Sequence, residues 1–354
     1  MTARGRGPVL ARLARPAGPA TTLLVVADSH LTSRATGTWK LFHRTEERLR
    51  AAIEGANRLG VDAVLGLGDL TRAGAPHEYD RLDALLADLD APFLAVPGNH
   101  DVPKPGPDGD SGGETPPVGA FAERYAPGAL PFAERIGGID VLGLDSATAP
   151  DGEPSTTHGG ASDPRAVPAD GLAWLDAALD GAGTPVVALH HPIADASIRD
   201  GGGLPTGGYR VRNADAVTEL LAGHGVPLVL SGHVHWPSVA PLGGARGPSG
   251  DRERSVNARG HEITAPATCS FPQAALLVQV EPRGTTVSLL PLADRTGYEE
   301  AHRHARRARR GRRLVEATED GYFERFPLVD TFDASVPVPV ADGPAPSPLL
   351  DRPR

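Results

Sequence analysis

The sequence predicts an α/β fold with two β-sheets, and three observations lead there. Strand-sized apolar runs alternate with amphipathic helical stretches between Thr21 and His235. After Pro237 the β-like segments follow one another with no helix between them. Hydrophobic residues make up 40% of the 354 positions, enough to fill a sizeable core.

The elements follow in order. Residues 1–20 carry arginine but no acid and lack the apolar stretch of about 7–15 residues that a signal peptide needs, so they read as a flexible N-terminal arm. "TTLLVVADSH" is a buried strand that ends on polar groups. "LFHRTEERLRAAIEGANRLG" sets Leu41, Leu49, Ile53, Ala56 and Leu59 on one helical face, with Gly60 as the stop. "DAVLGLGDL", "HEYDRLDALLADL" and "PFLAVPGN" continue as strand, helix and strand. Such βαβ repeats imply largely parallel pairing with right-handed crossovers. Residues 103–118 are a Pro/Gly/acid loop without periodicity. "GIDVLGLDSA", "TPVVALHHP" and "PLVLSGHVH" are further strands. They are separated by the helices "ADGLAWLDAALDG" and "ADAVTELLAGHG", the latter with Asn213 in the N-cap position. "SVAPLG", "EITAPAT", "AALLVQVEP" and "TTVSLLPL" then suggest a second, mostly antiparallel sheet. This body ends near residue 292, and residues 293–354 read as a polar, partly helical extension with a disordered Pro-rich end.

Composition excludes several classes. No apolar run approaches the ~20 residues of a membrane span. A formal charge of −9 disfavours nucleic acid as a general partner. The arginine run "RHARRARRGRR" distributes its charges around a helix, which fits a solvated helix or a self-associating tail that would make a homo-oligomer. Cys269 is the single cysteine, so no intrachain disulfide can form, and a reducing cytoplasm fits.

Five polar clusters stand immediately after predicted strands: Asp28-Ser29-His30, Gly68-Asp69, Gly98-Asn99-His100-Asp101, His190-His191 and Gly232-His233-Val234-His235. Ligands of open α/β sheets bind at the carboxyl ends of strands, where such groups converge. Asp28, His30, Asp69, Asn99, His190, His233 and His235 offer only oxygen and imidazole donors, a set suited to Mn²⁺, Fe²⁺/Fe³⁺, Zn²⁺ or Co²⁺. They are too many for one tetrahedral site with an open position and enough for two sites sharing a carboxylate. Two ions ~3.5–4 Å apart form the clamp used in phosphoryl transfer. His191 lies next to a predicted ligand on what reads as a strand, where alternation favours packing or loop contacts over metal binding.

Taken together, the clusters resemble the calcineurin-like metallophosphoesterase superfamily over about residues 21 to 292. The resemblance implies a four-layer α/β/β/α sandwich of two mixed sheets with the site at the sheet edge. It implies that Asp28, His30 and His235 hold one metal, that Asn99, His190 and His233 hold the other, and that Asp69 bridges them. It also implies a metal-bridging hydroxide that attacks phosphorus in line, with His100 stabilising charge and protonating the leaving oxygen. Arg72 stands where the protein Ser/Thr phosphatases of this superfamily carry the acid that orients the catalytic histidine, which leaves Asp101 as one candidate for that role. "ADSHL", "GDLTRAGAPHEYDRL", "LHHPI" and "ITAPATCSFPQ" are most similar to the class III cyclic nucleotide phosphodiesterase-like group. The expected substrate is therefore a small, nucleotide-type phosphodiester. A nuclease, a phosphomonoesterase and a non-catalytic binding scaffold are the alternatives.

Overall fold

A computed structural model describes residues 7–33, 38–103, 115–148, 165–194, 209–243 and 260–332. The chain folds into two mixed sheets packed face to face, with helices on both outer sides, as the resemblance implied. The first sheet has the order β13-β1-β12-β11-β2-β3-β4. Its parallel half is β2 (Thr21–Val26), β3 (Ala63–Leu67) and β4 (Phe93–Val96). Its antiparallel half is β1 (Val9–Leu13), β11 (Ala274–Glu281) and β12 (Gly284–Pro291), with β13 (Val329–Asp330) added in parallel to β1. The second sheet runs β5 (Phe132–Ile136), β6 (Ile139–Gly143), β7 (Pro185–Ala188), β8 (Leu228–Ser231), β10 (His261–Thr264) and β9 (Ser238–Pro241).

The two-residue period of a strand decides which layer each side chain enters. In β2, Leu23 and Val25 point into the core between the sheets, while Leu24 and Val26 pack under α1 (Thr45–Leu59). In the second sheet Val186, Leu228 and Ile263 face the central core. Val187 and Val229 face the outer layer, which holds α4 (Ala169–Gly181) and α5 (Ala214–Gly223). Burying each such aliphatic side chain contributes about 1.5–3 kcal/mol, and these strands are apolar on both faces. Near β4, α2 (Pro76–Leu86) and α3 (Val118–Tyr125) pack Tyr79, Leu82, Phe121 and Tyr125 together.

Several expectations are corrected. Part of the expected N-terminal arm is β1, whose Leu10 and Leu13 are buried in the central core. The strands after Pro237 do not form one antiparallel sheet. β9 and β10 extend the second sheet, with β10 parallel to β8, while β11 and β12 return to the first. Asn213 occupies the N-cap position of α5 without capping it. Its Oδ1 accepts from Val167 N at 3.1 Å and its Nδ2 donates to Val167 O at 2.8 Å.

The polar C-terminal segment breaks at Ala308 into α6 (Arg295–Arg307) and α7 (Arg309–Glu319). Gly311 makes the corner possible, since a Cβ there would lie 2.6 Å from Ala305 O. Ala301, Ala305, Leu314, Val315 and Ala317 bury against Leu41, Trp236 and Phe271, so the two helices are packed rather than solvated on all sides. Most of the 103–118 loop and the Pro-rich end lie outside the described residues. No helix among the described residues is long and apolar enough to cross a membrane.

Candidate metal centre

β2, β3, β4, β7 and β8 all end at one edge, and each expected polar cluster follows one of them. Hydrogen bonds between the loops carry the strand register beyond the sheet: Asp28 N to Gly68 O (3.0 Å), His30 N to Asp69 O (2.8 Å) and Gly232 N to His190 O (2.9 Å). Asp28, His30, Asp69, His233 and His235 have φ of 51°, 43°, 51°, 67° and 62°. This left-handed backbone costs a non-glycine residue about 1–3 kcal/mol, so the surrounding contacts must hold it. Five of the seven expected ligands are held this way, which concentrates strain in one place. Gly98 is required by close approach, because a Cβ there would lie 2.2 Å from Asp69 N and 2.3 Å from its Oδ1.

The donors gather in two halves around Asp69. Its Oδ2 lies 3.4 Å from His30 Nε2 and its Oδ1 3.5 Å from His190 Nε2. In the first half, Asp28 Oδ1 is 3.1 Å from His235 Nε2. In the second, His190 Nε2 and His233 Nδ1 face each other at 3.2 Å. Ring orientation is set from behind: His190 Nδ1 donates to Leu67 O at 2.7 Å, and His235 Nδ1 is 2.9 Å from Ser270 Oγ. A ring fixed through Nδ1 presents Nε2 to the site, the usual arrangement of a metal-binding histidine.

These residues fit a metal. Asp28 Oδ1 and Asn99 Oδ1 are buried oxygens that accept no hydrogen bond among the described residues, an arrangement a cation would relieve. Burial holds the His30 and His233 rings well below the usual histidine range, with neighbouring cations and rings adding to it, and pushes His235 down to about 4. Those rings are neutral at pH 7, as metal ligation requires. Burial opposes charge on His190 as well, but the Asp69 carboxylate outweighs it and pushes the ring up to about 9. Burial likewise works against the Asp69 carboxylate, and His190, His100 and His30 outweigh it and hold the carboxyl well below its usual range. Of the His30, His190, His233 and His235 rings, only His190, beside Asp69, is pushed toward the charged form. Lys40 Nζ lies 2.9 Å from His30 Nε2, its own pKa lowered by burial.

The third motif divides its roles. His100 keeps part of its surface open, donates its backbone N–H to Asp69 Oδ1 at 2.8 Å, and packs edge-on against His30 with ring centroids 4.5 Å apart. Its Nδ1 donates to the backbone carbonyl of Arg72 at 2.5 Å. The acceptor at that nitrogen is main chain. Asp101 is buried and accepts from Leu70 N (3.1 Å), Thr71 N and Thr71 Oγ1 (both 2.9 Å) and Gly98 N (3.0 Å). It ties the Asp69 loop to the Asn99 loop. Burial first, and then the Asp69 charge, push its carboxyl up to about 6. The Arg72 guanidinium lies over Phe42, 5.2 Å from the ring centroid.

Sequence reasoning missed three neighbours of the site. His191 belongs to the cluster: its ring centroid is 4.4 Å from that of His233, and its buried Nε2 has no hydrogen-bond partner among the described residues. β7 ends at Ala188, so the alternation that would turn His191 away has already stopped. Trp39 packs on His235 with centroids 5.2 Å apart. Arg310 of α7 reaches the carbonyls of His233 and Val234. Its position depended on the break at Ala308, which a continuous helical reading hides.

A sheet-edge cradle of carboxylates and imidazoles on a two-sheet sandwich could hold metal ions. The chain belongs to the calcineurin-like phosphoesterase family, whose model matches residues 21–237. Members of this family use divalent metal ions, and the chain is a hydrolase of phosphoric ester bonds. It is 26% identical over 348 residues to a cAMP/cGMP dual specificity phosphodiesterase of Mycobacterium tuberculosis, covering 91% of this chain and 97% of that protein. Among solved structures it is similar to a dimetal phosphatase from Danio rerio, with a TM-score of 0.54, 14% identity, and coverage of 78% of this chain and 98% of the other. A purple acid phosphatase from yellow lupin gives a TM-score of 0.52 at 13% identity, covering 78% of this chain and 52% of the other. These structural likenesses bear on the fold alone.

Proposed function

We propose that this chain is a dinuclear metal phosphodiesterase acting on a small, nucleotide-type phosphodiester. The supporting observation is Asp69, whose two oxygens face different histidines, His30 and His190, at 3.4 and 3.5 Å. Asp28, His30 and His235 would hold one ion, Asn99, His190 and His233 the other, and Asp69 both. Ions of the Mn²⁺, Fe²⁺/Fe³⁺, Zn²⁺ or Co²⁺ type supply Lewis acidity and activate water for attack at neutral pH. The protein's own contribution begins with strained loops that hold the donors in place before substrate arrives. His100, fixed through Nδ1 to the Arg72 carbonyl, gives the leaving oxygen a proton from Nε2 when the ring is in its imidazolium form, and that transfer leaves the ring neutral. The likeness to a cyclic nucleotide phosphodiesterase over nearly the full length of both chains favours a diester of nucleotide size. A cytoplasmic location agrees with the lone, buried Cys269.

A substrate panel tests the reading. With Mn²⁺ present, hydrolysis of bis(4-nitrophenyl) phosphate and of 3′,5′-cyclic nucleotides should exceed that of 4-nitrophenyl phosphate and of oligonucleotides. Preference for the monoester or for oligonucleotides would replace the proposal with a phosphomonoesterase or a nuclease on the same scaffold.

A further inference from the structure

The geometry points to Arg310, delivered by the C-terminal helix α7, as a substrate-binding residue whose guanidinium takes a nonbridging oxygen of the phosphoester beside the His233–His235 turn. The inference rests on the phosphoesterase reading of this site and adds to it an anion contact from outside the ligand motifs.

Arg310 bridges three separate segments. Its guanidinium carbon lies 5.5 Å from the ring centroid of Trp39 and 4.7 Å from that of Tyr209. Those rings in turn pack on the site, Trp39 on His235 at 5.2 Å and Tyr209 on His233 at 5.6 Å. A guanidinium held against aromatic faces is fixed in orientation while its in-plane N–H groups remain available. Those donors are poorly used here. The carbonyls of His233 and Val234 accept from Nη2, each at 3.4 Å, beyond the usual hydrogen-bond range. Nε is buried and has no partner among the described residues. A buried charged donor without an acceptor is costly, and a phosphoryl oxygen is its best match.

The corner between α6 and α7 sets this position. Gly311 lets the next turn pass against Ala305, and Leu314 and Val315 anchor α7 in the cluster around Trp236. The arginine run is thus more than a solvated charge patch. One of its members faces the site, while Arg306 pairs with Glu319 across the corner.

The test compares the full-length Mn²⁺-loaded chain with Arg310→Met, which keeps the aliphatic stem between the rings, and with Arg310→Lys. Arg310→Met should raise KM for bis(4-nitrophenyl) phosphate and weaken the affinity for inorganic phosphate by about 10- to 100-fold, the value of a hydrogen bond to a charged group. Bound Mn²⁺ and the urea midpoint should match wild type, and Arg310→Lys should recover part of the phosphate affinity. Unchanged phosphate affinity would overturn the inference. So would loss of Mn²⁺ from Arg310→Met, which would make the residue a support for the His233–His235 turn. Phosphate affinity is read by calorimetry, so Arg310 is decided even if wild type hydrolyses no diester.

Discussion

Replacing Leu314 by alanine tests whether the C-terminal helices belong to the body of the enzyme. Leu314 is 1% exposed and lies in the cluster with Leu41, Trp236, Val315 and Tyr322. The substitution removes about three buried carbon groups at about 0.8 kcal/mol each, or about 2.4 kcal/mol of transfer free energy. Incomplete collapse around the cavity adds to this, and buried Leu→Ala changes span about 2–5 kcal/mol, so about 3 kcal/mol is expected. Its neighbour Arg313 is exposed, and Arg313→Ala should stay within about 0.5 kcal/mol of wild type. Urea unfolding at 25 °C, with the slope checked for constancy, reads both. A Leu314→Ala loss below about 1 kcal/mol would mean that α7 detaches from Trp236 at little cost. Neither the packing of α7 nor the anchoring of Arg310 would then hold.

Three further outcomes follow from the site and its supports. His100→Asn should lower kcat by about 10²–10⁴-fold while bound metal stays at the wild-type level; retained activity would remove His100 from proton transfer. Asp101→Ala strands the buried N–H groups of Leu70, Thr71 and Gly98 at about 1–3 kcal/mol each, so urea stability should fall by at least 3 kcal/mol; a smaller loss would mean that water replaces the carboxylate. Glu262 accepts from Ile193 N and Ala194 N, and burial pushes its carboxyl from 4.5 up to about 7. The folded state then holds an extra proton between those values, so stability falls as pH rises through the window, by up to about 3 kcal/mol. Glu262→Gln should flatten that share of the slope in a pH series of unfolding curves, and an unchanged slope would contradict the assignment.

The site was far more legible in the sequence than the sheets around it. Its residues sit one or two positions past apolar runs, and strand ends in an α/β fold converge whatever the order of the strands. Which sheet a strand joins is another matter. "AALLVQVEP" has the same alternation whether it pairs with β2 or with β10, so only tertiary packing assigns β11 and β12 to the first sheet. β1 was hidden because its short run, "VLARL", lies among arginine, glycine and proline. His191 depended on where a strand stops, and Arg310 on a helix break at Ala308, both below the resolution of periodicity. Asp101 was recognised as part of the motif, but its role was not. Its bonds to backbone N–H groups from three residues leave no trace in residue type.

Whether two ions held around Asp69 carry out diester hydrolysis can be measured on one sample. Stripping the protein with chelator and titrating Mn²⁺ back, with bound metal and hydrolysis of bis(4-nitrophenyl) phosphate followed on the same sample, addresses it directly. Activity should vanish on stripping and return in step with about two equivalents per chain, and Asp69→Asn should lose both. Hydrolysis that persists in the stripped protein, or that saturates at a single equivalent, would contradict the account.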